Sequence, residues 1–203
     1  MLWNADLKQF IPQYWEVGNL YQIAGFINGL ACQNHRPQAH ENSLPVIKIK
    51  EMHNGISNDT EEVSSTIPSK YIVKNGDILF SWSASLEVMF WYGGIGGLNQ
   101  HIFKVIPRKE NSTNYVYYQL SRYVDIFKKI AESRKTTMGH ITTDHLQQSK
   151  IIIAPQNIID MFESRTKSIR AQIQNISGEN LVLRHLKQFL LPLLVNGQAT
   201  ISD

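Results

Sequence analysis

The sequence predicts a mixed fold, an α/β (α+β) domain over residues 1–154, followed over residues 155–203 by one long C-terminal α-helix that forms a coiled coil and by a C-terminal tail. Short apolar runs separated by Gly, Asn and Pro are typical of about five or six strands. One amphipathic segment among them is typical of a compact helix, and the mixture predicts the α/β domain. A heptad repeat of apolar residues near the C-terminus predicts the coiled coil.

The first half of the domain is expected to alternate short elements with polar loops. A short strand or helix over residues 20–27 ends at the turn signal Asn28-Gly29. Residues 45–50 (PVIKIK) alternate between apolar and basic, which predicts a half-buried strand with Lys48 and Lys50 on its polar face. Residues 33–43 and 59–65 are polar and are predicted loops.

The second half continues with strands and ends in helical segments. The turn at Asn75-Gly76 predicts a type I′ hairpin that leads into a strand over residues 78–82. The glycine-rich residues 93–97 are interpreted as a flexible connection between strands. Further strands are predicted over residues 88–92, 102–106 and 150–154, and a helical turn over residues 144–148.

One compact helix is predicted after the capping residues at 111–114. Its apolar face consists of Val116, Leu120, Tyr123, Val124, Phe127 and Ile130.

The long helix is predicted from Pro155, where a first turn begins, to Pro192, where a helix must stop or kink. It would have about 35 residues and a length of about 50 Å. Steps of three and four, with one irregularity near the end, separate the seam residues, which are Ile159, Phe162, Thr166, Ile169, Ile173, Ile176, Asn180, Leu183, Leu186 and Leu190. Asn180 is the polar kind of seam residue that fixes register. The seam residues predicted to dimerise are Phe162, Ile169, Ile173, Ile176, Asn180, Leu183 and Leu190. The alternative is a terminal helix docked on its own domain.

Composition and charge bound the function without fixing it. The apolar fraction of 42% is enough for a core, and the net charge of +3 permits a nucleic-acid partner. The excess is local, since residues 104–150 contain nine Lys or Arg and four Asp or Glu. The single Cys32 excludes internal disulfides. Without a signal peptide or a transmembrane run we expect a cytoplasmic protein that does not enter the membrane.

Enzyme motifs are missing from the sequence. There is no Walker A loop, dinucleotide fingerprint, HExxH or nucleophile elbow, so we expect no catalytic residues. His35, His40 and Glu41 match no defined metal spacing, and we expect no metal site.

Polar groups suited to DNA recognition cluster in several loops. Asn and Gln pair with adenine, Arg and Lys with guanine, and Ser or Thr with phosphates. Trp82 and Trp91 lie in apolar strands, so both are expected in the core. The candidate DNA-binding residues are Lys48, Lys50, Ser81, Ser83, Ser85, Asn99, Gln100, His101, Arg134, Lys135, Thr136, Thr137 and His140.

A run of motifs resembles the specificity (S) subunits of type I restriction-modification systems. Residues 71–82 (YIVKNGDILFSW) are similar to their Y-x-x-x-x-G-D-I-L-x-S signature, and residues 45–50 to the P-x-I-(R/K)-x-x strand upstream. Residues 99–102 resemble the downstream N-Q-H segment, residues 137–155 the passage T-x-x-x-I-x-x-x-x-L … I-x-x-P, and residues 190–197 the L-L-P-x-L-L-x-G helix ending. The matches follow in order along nearly the whole chain.

The sequence departs from the family in two respects. Family members usually carry an acidic residue and Gln after the helix-start proline, whereas Gln156, Asn157 and Ile158 stand here. They also commonly carry two target recognition domains and two long helices, whereas this sequence has one of each. The chain therefore resembles a half-size S subunit, or one half of a longer one.

The resemblance implies a non-catalytic target recognition domain at residues 1–154 and a spacer helix at residues 155–203. Two helices packed antiparallel would place a recognition domain at each end, and a homodimer would then read a palindromic, bipartite site on double-stranded DNA. The chain itself would need no cofactor. S-adenosylmethionine would belong to a methyltransferase (M) subunit, and ATP with Mg to a restriction (R) subunit. The alternative function is a protein-interaction or assembly module without direct DNA contact.

Overall fold

The structure is a computed structural model that describes residues 1–5, 7–83, 85–110, 112–133 and 141–198, with the backbone alone for residues 130–133. The strands in these ranges are β1 (Leu2–Asn4), β2 (Gln9–Ile11), β3 (Glu16–Gly18), β4 (Ala24–Asn28), β5 (Ser43–Ile47), β6 (Glu62–Ser64), β7 (Ile72–Val73), β8 (Ile78–Ser81), β9 (Glu87–Phe90), β10 (Gly96–Leu98), β11 (Ile102–Pro107) and β12 (Ile151–Ile153). The α-helices are α1 (Leu20–Ile23), α2 (Ile49–Asn54), α3 (Thr113–Ser133), α4 (Thr143–Gln147) and α5 (Gln156–Val195). The predicted fold class, a mixed α/β domain followed by a long helix, is confirmed.

Two four-stranded sheets form the centre of the domain. Their strand orders are β6-β5-β10-β7 and β4-β11-β8-β9. Strands β5 and β10 run parallel, while β11 pairs antiparallel with both β4 and β8. The small sheet β3–β12 joins the start of the chain to the strand that precedes α5.

The core lies on both faces of β8, which is why all four of its residues are buried. Ile78 and Phe80 face the helical side, and the Phe80 ring stacks on Phe127 of α3 at 6.1 Å. Leu79 faces the other way, into a cluster between the two sheets. Because successive side chains of a strand point to opposite faces, β8 packs against the helices on one face and against the second sheet on the other.

Helix α3 confirms the predicted apolar face. Val116, Leu120, Val124 and Phe127 are buried, and Tyr123 packs against the same cluster. The side chain of Ile130 lies outside the described part of the chain.

The predicted strand at residues 45–50 is wrong in its second half. Strand β5 ends at Ile47, and α2 begins at Ile49 with Lys48 at its N-terminal boundary. Glu51 accepts a hydrogen bond from the Lys48 N–H at 3.2 Å, which satisfies one of the free donors at a helix start. Ile49 and Met52, three residues apart, both pack on the cluster between the sheets, so helical spacing serves the core there.

The turn at Asn75-Gly76 forms, but the predicted hairpin does not. Strand β7 pairs with β10, whereas β8 pairs with β9 and β11 in the other sheet, so the turn carries the chain between sheets. Gly76 adopts φ 91°, which explains the glycine at that position. The predicted loop at residues 59–65 likewise contains a strand, β6, which pairs with β5.

The glycine-rich segment is a central strand in its second half rather than only a flexible connection. In β10, a Cβ added at Gly96 would lie 2.8 Å from the Pro45 carbonyl oxygen, and one at Gly97 would lie 2.5 Å from Val63. Because only glycine permits β10 to lie so close to these residues, both Gly96 and Gly97 are needed there.

Helix α5 is longer than predicted, with 40 residues and a length of about 60 Å. Pro192 lies inside the helix, so the helix does not stop there but continues to Val195, followed by Asn196 as its C-cap and by Gly197 at φ 66°. Proline has no N–H to donate, so the carbonyl oxygen of Gln188, four residues earlier on an exposed part of the helix, lacks the helical hydrogen bond that another residue at 192 would supply.

Candidate nucleic-acid interface

Polar segments meet at one end of the sheet β4-β11-β8-β9. Strand β4 ends there at Asn28, β8 ends at Ser81, and β11 begins at Ile102. The antiparallel register places Asn28 opposite Phe103 and Ser81 opposite Ile102. The residues that follow β8 and precede β11 are therefore neighbours. We call the accessible members of this group, Asn28, Trp82, Ser85, Gln100 and His101, the polar edge.

The second sheet adds Lys48 beside the polar edge. Leu98 of β10 lies opposite Ile47 of the parallel strand β5, so the next residues, Asn99 and Lys48, leave the sheet side by side. The Asn99 N–H donates to the Ile47 carbonyl oxygen at 3.2 Å and holds the two strand ends together. Carboxyl ends of adjacent parallel strands converge in this way in many binding sites.

Both candidate lysines, Lys48 just before α2 and Lys50 within it, are paired with carboxylates from the segment before β6. The Lys48 ammonium lies 2.5 Å from Glu61, and Lys50 forms an ion pair with Asp59. The hydrogen bond from Lys50 lowers the pKa of Asp59 to about 2, and that from Lys48 lowers the pKa of Glu61. Both carboxylates are thus ionised at neutral pH, and a phosphate would compete with them for the lysines.

Three of the predicted DNA-binding side chains are shielded from solvent. Ser81 is 0%, Ser83 8% and Asn99 6% exposed. The Ser81 hydroxyl donates to the Ser85 carbonyl oxygen, and the Asn99 side-chain oxygen accepts the His101 N–H at 3.3 Å. In this conformation these residues shape the loops at the sheet end instead of reaching the surface.

Accessible partners remain at the polar edge. Ser85 and His101 are exposed, and Gln100 is half-exposed. The His101 ring lies 5.8 Å from the Trp82 indole, and its Nε2 lies 3.4 Å from the Gln100 amide nitrogen. This part of the edge combines hydrogen-bonding groups with a flat aromatic surface.

Two members of the polar edge, Trp82 and Asn28, are not among the residues predicted from sequence to bind DNA. Trp82 was expected in the core but is only half-buried, and Asn28 was noted only as part of a turn. The Trp82 Nε1–H donates to the Asn28 side-chain oxygen at 3.0 Å. These residues are 54 positions apart, so no local pattern joins them. Trp91, by contrast, is buried as expected.

The basic loop that contains Arg134, Lys135, Thr136, Thr137 and His140 lies outside the described residues. The chain after it is described from Ile141, whose N–H donates to the Trp82 carbonyl oxygen at 3.1 Å. This hydrogen bond places Ile141 next to Trp82 of the polar edge.

Lys104 does not contribute to the surface charge of the basic segment. Its ammonium donates to the Ile72 carbonyl oxygen at 2.7 Å and lies 3.2 Å from Asp77, in a half-buried position between the sheets. Among the residues of this segment that the structure describes, the exposed cations are Arg108, Lys109, Arg122, Lys128, Lys129 and Lys150.

The described part of the chain offers little for catalysis or metal binding. No group of three or more His, Cys, Asp or Glu residues there is arranged to hold a metal ion. Cys32 is buried, and burial raises the pKa of its thiol to about 11, so the thiolate that nucleophilic chemistry needs is scarce at neutral pH.

A second candidate surface runs along α5. We call its residues Ile169, Ile173, Ile176, Asn180, Leu183 and Leu190 the free stripe. Its five apolar members are 42–59% exposed, which is unusual for such side chains in one row. Phe162 was predicted to belong with them but packs edge-on against Tyr118 of its own domain at 5.7 Å.

A different face of α5 contacts the domain. Ile159 is buried in the core, Glu163 accepts the Tyr115 N–H at 2.8 Å, and Arg184 donates to the Asn54 carbonyl oxygen at 2.9 Å. At about 100° per residue, this face lies about 90° around the helix from the free stripe. The helix therefore docks on its own domain and still leaves the free stripe uncovered.

Comparison with known proteins identifies the family. The profile of the type I restriction modification DNA specificity domain matches residues 12–176. The chain belongs to this family. This family consists of DNA specificity domains, not of enzymes. Membership of the chain in it therefore confirms two predictions, that the chain is non-catalytic and that it has no cofactor of its own.

Curated relatives of this specificity domain are about twice as long. The chain is 25% identical over 195 residues to the type I restriction enzyme HindI specificity subunit of Haemophilus influenzae, which covers 93% of this chain and 42% of that protein. It is 25% identical over 214 residues to the MjaIX specificity subunit of Methanocaldococcus jannaschii, which covers 100% of this chain and 48% of that protein. The specificity domain thus spans about half the length of the curated relatives it matches.

Solved structures share the fold of this specificity domain. The S subunit of a type I restriction-modification system from M. genitalium superposes with a TM-score of 0.56 at 12% identity, over 92% of this chain and 47% of that chain. The HsdS subunit from Thermoanaerobacter tengcongensis gives 0.50 at 18% identity, over 91% and 46%. In the described residues, no helix combines the length and apolarity needed to cross a membrane.

Proposed function

We propose that this specificity domain directs a type I restriction-modification complex to its DNA site, and that the polar edge and the basic residues of segment 134–140 contact the DNA. The observation that carries this proposal is that one sheet end brings together Asn28, Trp82, Ser85, Gln100 and His101, with Lys48 and Ile141 beside them. Amide, hydroxyl and imidazole groups can address base edges, while Lys and Arg bind phosphates.

We also propose that the working unit is a homodimer joined by the free stripe. One chain spans about half of its curated relatives and leaves a row of apolar side chains exposed on α5. A second copy, packed antiparallel, would cover this row and place a recognition domain near each end of the paired helices. Such a dimer would select a bipartite, palindromic site.

The complex would contain further subunits. A methyltransferase subunit would bring S-adenosylmethionine, and a restriction subunit would bring ATP and Mg, so the chemistry would lie outside this chain. This chain would determine where on the DNA that chemistry takes place.

The test combines site mapping with binding. Methylation mapping of the host DNA gives the target and its symmetry, and fluorescence anisotropy then follows binding of the chain, together with its methyltransferase subunit, to duplexes with the mapped or a scrambled site. We expect the mapped site to bind at least about 1,000-fold more tightly. Equal binding to both duplexes at every salt concentration would contradict the proposal, because phosphate contacts alone carry no sequence information.

Charge reversal distinguishes this function from assembly without DNA contact. Lys48→Glu, Lys50→Glu, Arg134→Glu and Lys135→Glu together are expected to abolish binding of the mapped site and methylation. The control is Lys167→Glu, an exposed position on α5 away from both the free stripe and the polar edge. An assembly module would retain its activity in both variants.

A further inference from the structure

We propose that Asn28 reads one base of the target and that Trp82 fixes the orientation of its amide. This inference rests on the proposed function and goes beyond it by assigning a specificity-determining residue and a positioning residue. It begins from the hydrogen bond between the Trp82 Nε1–H and the Asn28 side-chain oxygen at 3.0 Å.

The direction of this hydrogen bond determines which way the amide points. An indole nitrogen can only donate, so the amide oxygen of Asn28, and not its NH₂ group, must face Trp82. The oxygen keeps one further lone pair, and the NH₂ group supplies two donors. Asn28 is exposed, so its remaining acceptor and its donors are accessible at the polar edge.

An amide with one acceptor and one donor side by side has a specific complement among base edges. In the major groove, adenine presents N6–H₂ as a donor and N7 as an acceptor, which is the pattern that Asn or Gln pairs with bidentately. A freely rotating Asn would lose conformational entropy on binding and could also present itself in the reverse sense. The hydrogen bond to Trp82 favours one orientation of the amide before DNA arrives.

The backbone around Asn28 is held as firmly as its side chain. Gly29 donates its N–H to the Ile102 carbonyl oxygen at 3.0 Å, and Asn28 lies in register with Phe103. A Cβ at Gly29 would lie 2.0 Å from the Asn99 carbonyl oxygen, so glycine is required for β4 to end this close to the turn at Gln100 and His101. The sequence Asn28-Gly29 is therefore a means of bringing an amide to this edge rather than only a turn signal.

The test measures base preference position by position. The mapped duplex is varied to all four base pairs at each specified position, and each duplex competes for the chain bound with its methyltransferase subunit. Asn28→Asp keeps the oxygen that accepts from Trp82 and removes both donors. We expect the preference at one A·T pair in each half-site to fall about 5- to 150-fold, with the other positions unchanged.

Trp82→Phe tests the positioning role separately. It keeps an aromatic ring beside His101 and removes the N–H donor. We expect a smaller loss of preference at the same A·T pair, and no additional loss when Trp82→Phe is combined with Asn28→Ala. Asn157→Ala is the matched control, because it removes an exposed amide at the start of α5, which is not a member of the polar edge.

The outcomes separate this inference from the proposed function. Wild-type preference at every position in Asn28→Asp overturns the inference, as does a loss that is equal at all positions. A wild-type complex that shows no base preference overturns both. Thermal unfolding midpoints identify any variant that loses base preference because it misfolds. If Asn28→Ala is unstable, the result for Asn28→Asp, which preserves the hydrogen bond to Trp82, tests the inference.

Discussion

At the scale of single residues, close backbone approach decides what the polar edge can look like. Gly29 and Asn99 lie so near each other that no side chain fits between them, and this contact joins β4 to the turn before β11. Gly178, on the surface of α5, has nothing within 4 Å of where its Cβ would be. The two glycines therefore make a matched pair for mutation.

Gly29→Ala is expected to lower the free energy of unfolding by about 1–3 kcal/mol, since the Asn99 backbone must move to admit a methyl group. Gly178→Ala is expected to raise it by about 0.5–1 kcal/mol, because alanine loses less conformational freedom in a helix. Urea unfolding followed by circular dichroism measures both. Similar effects of the two substitutions would mean that the close approach at Gly29 is absent.

Cys32 gives a second prediction at this scale. The thiol is 2% exposed, and burial raises its pKa to about 11. At pH 8 the folded protein should therefore react with iodoacetamide at least about 100-fold more slowly than the unfolded protein, whose thiol has a pKa of about 8.5. Mass spectrometry of the alkylated fraction over time measures the two rates. Rapid labelling without urea would show that the thiol is accessible.

Residue types alone did not reveal which polar groups reach the surface. Ser81 and Asn99 are residue types that commonly bind DNA. The sequence does not show, however, whether the end of a strand is covered by its own loops or accessible to solvent. The loop bonds from Ser81 to Ser85 and from His101 to Asn99 determine the difference. Asn28 was missed for the complementary reason, since its partner Trp82 is distant in the chain.

At the scale of elements, a pair of side chains from α5 fastens that helix to the start of α3. Glu163 accepts the Tyr115 N–H at 2.8 Å, and the Asn114 amide donates to the Thr166 hydroxyl at 2.8 Å. A carboxylate at the N-terminal turn of a helix satisfies a free N–H and interacts favourably with the helix dipole. The orientation of the long helix relative to the domain depends on these contacts.

Glu163→Ala is expected to destabilise the protein by about 1–3 kcal/mol, because it leaves the buried Tyr115 N–H without a partner. Glu163→Gln should cost less, since the amide oxygen still accepts that hydrogen bond. Thermal or urea unfolding measures both, with Glu179→Ala, an exposed site on the same helix, as the control within about 0.5 kcal/mol of wild type. Equal stability of all three variants would remove Glu163 from this role.

Element types with long periodic patterns were predictable, whereas short segments were not. The face of α3 and the length-scale of α5 follow from spacing that extends over several turns. The segment 45–50 is only six residues long. Its isoleucines, Ile47 and Ile49, are compatible with one continuous strand and equally with a strand that ends before a helix begins. The helix is stabilised by the core contact of Met52 and by the hydrogen bond that Glu51 accepts at the helix start, and neither is visible in the pattern of the isoleucines.

At the scale of the whole molecule, the free stripe predicts association. Ile173→Asp with Ile176→Asp places two charges in the row, where a paired helix would bury them without partners. We expect a dimer for the wild type and a monomer for this variant in sedimentation at micromolar concentration. Ala171→Asp with Asn175→Asp adds the same charges on the other side of the helix and should remain dimeric.

A wild-type chain that is monomeric at micromolar concentration would contradict self-pairing. The structure already divides the predicted seam in two, since Ile159 and Phe162 pack on the domain while Ile169 and later members stay exposed. The sequence could not make this division, because both stripes consist of the same residue types at the same three- and four-residue steps.

The sequence by itself determined the mixed fold, the long terminal helix and, through its ordered motifs, the specificity-domain family. Each of these depends on patterns that are local or repeat along the chain, so they survive without coordinates. Only the tertiary structure decided which polar side chains form the polar edge, which lysines are held by carboxylates, and which face of α5 is free. These depend on contacts between residues far apart in sequence, such as Asn28 with Trp82 and Arg184 with Asn54, for which one chain carries no local signal.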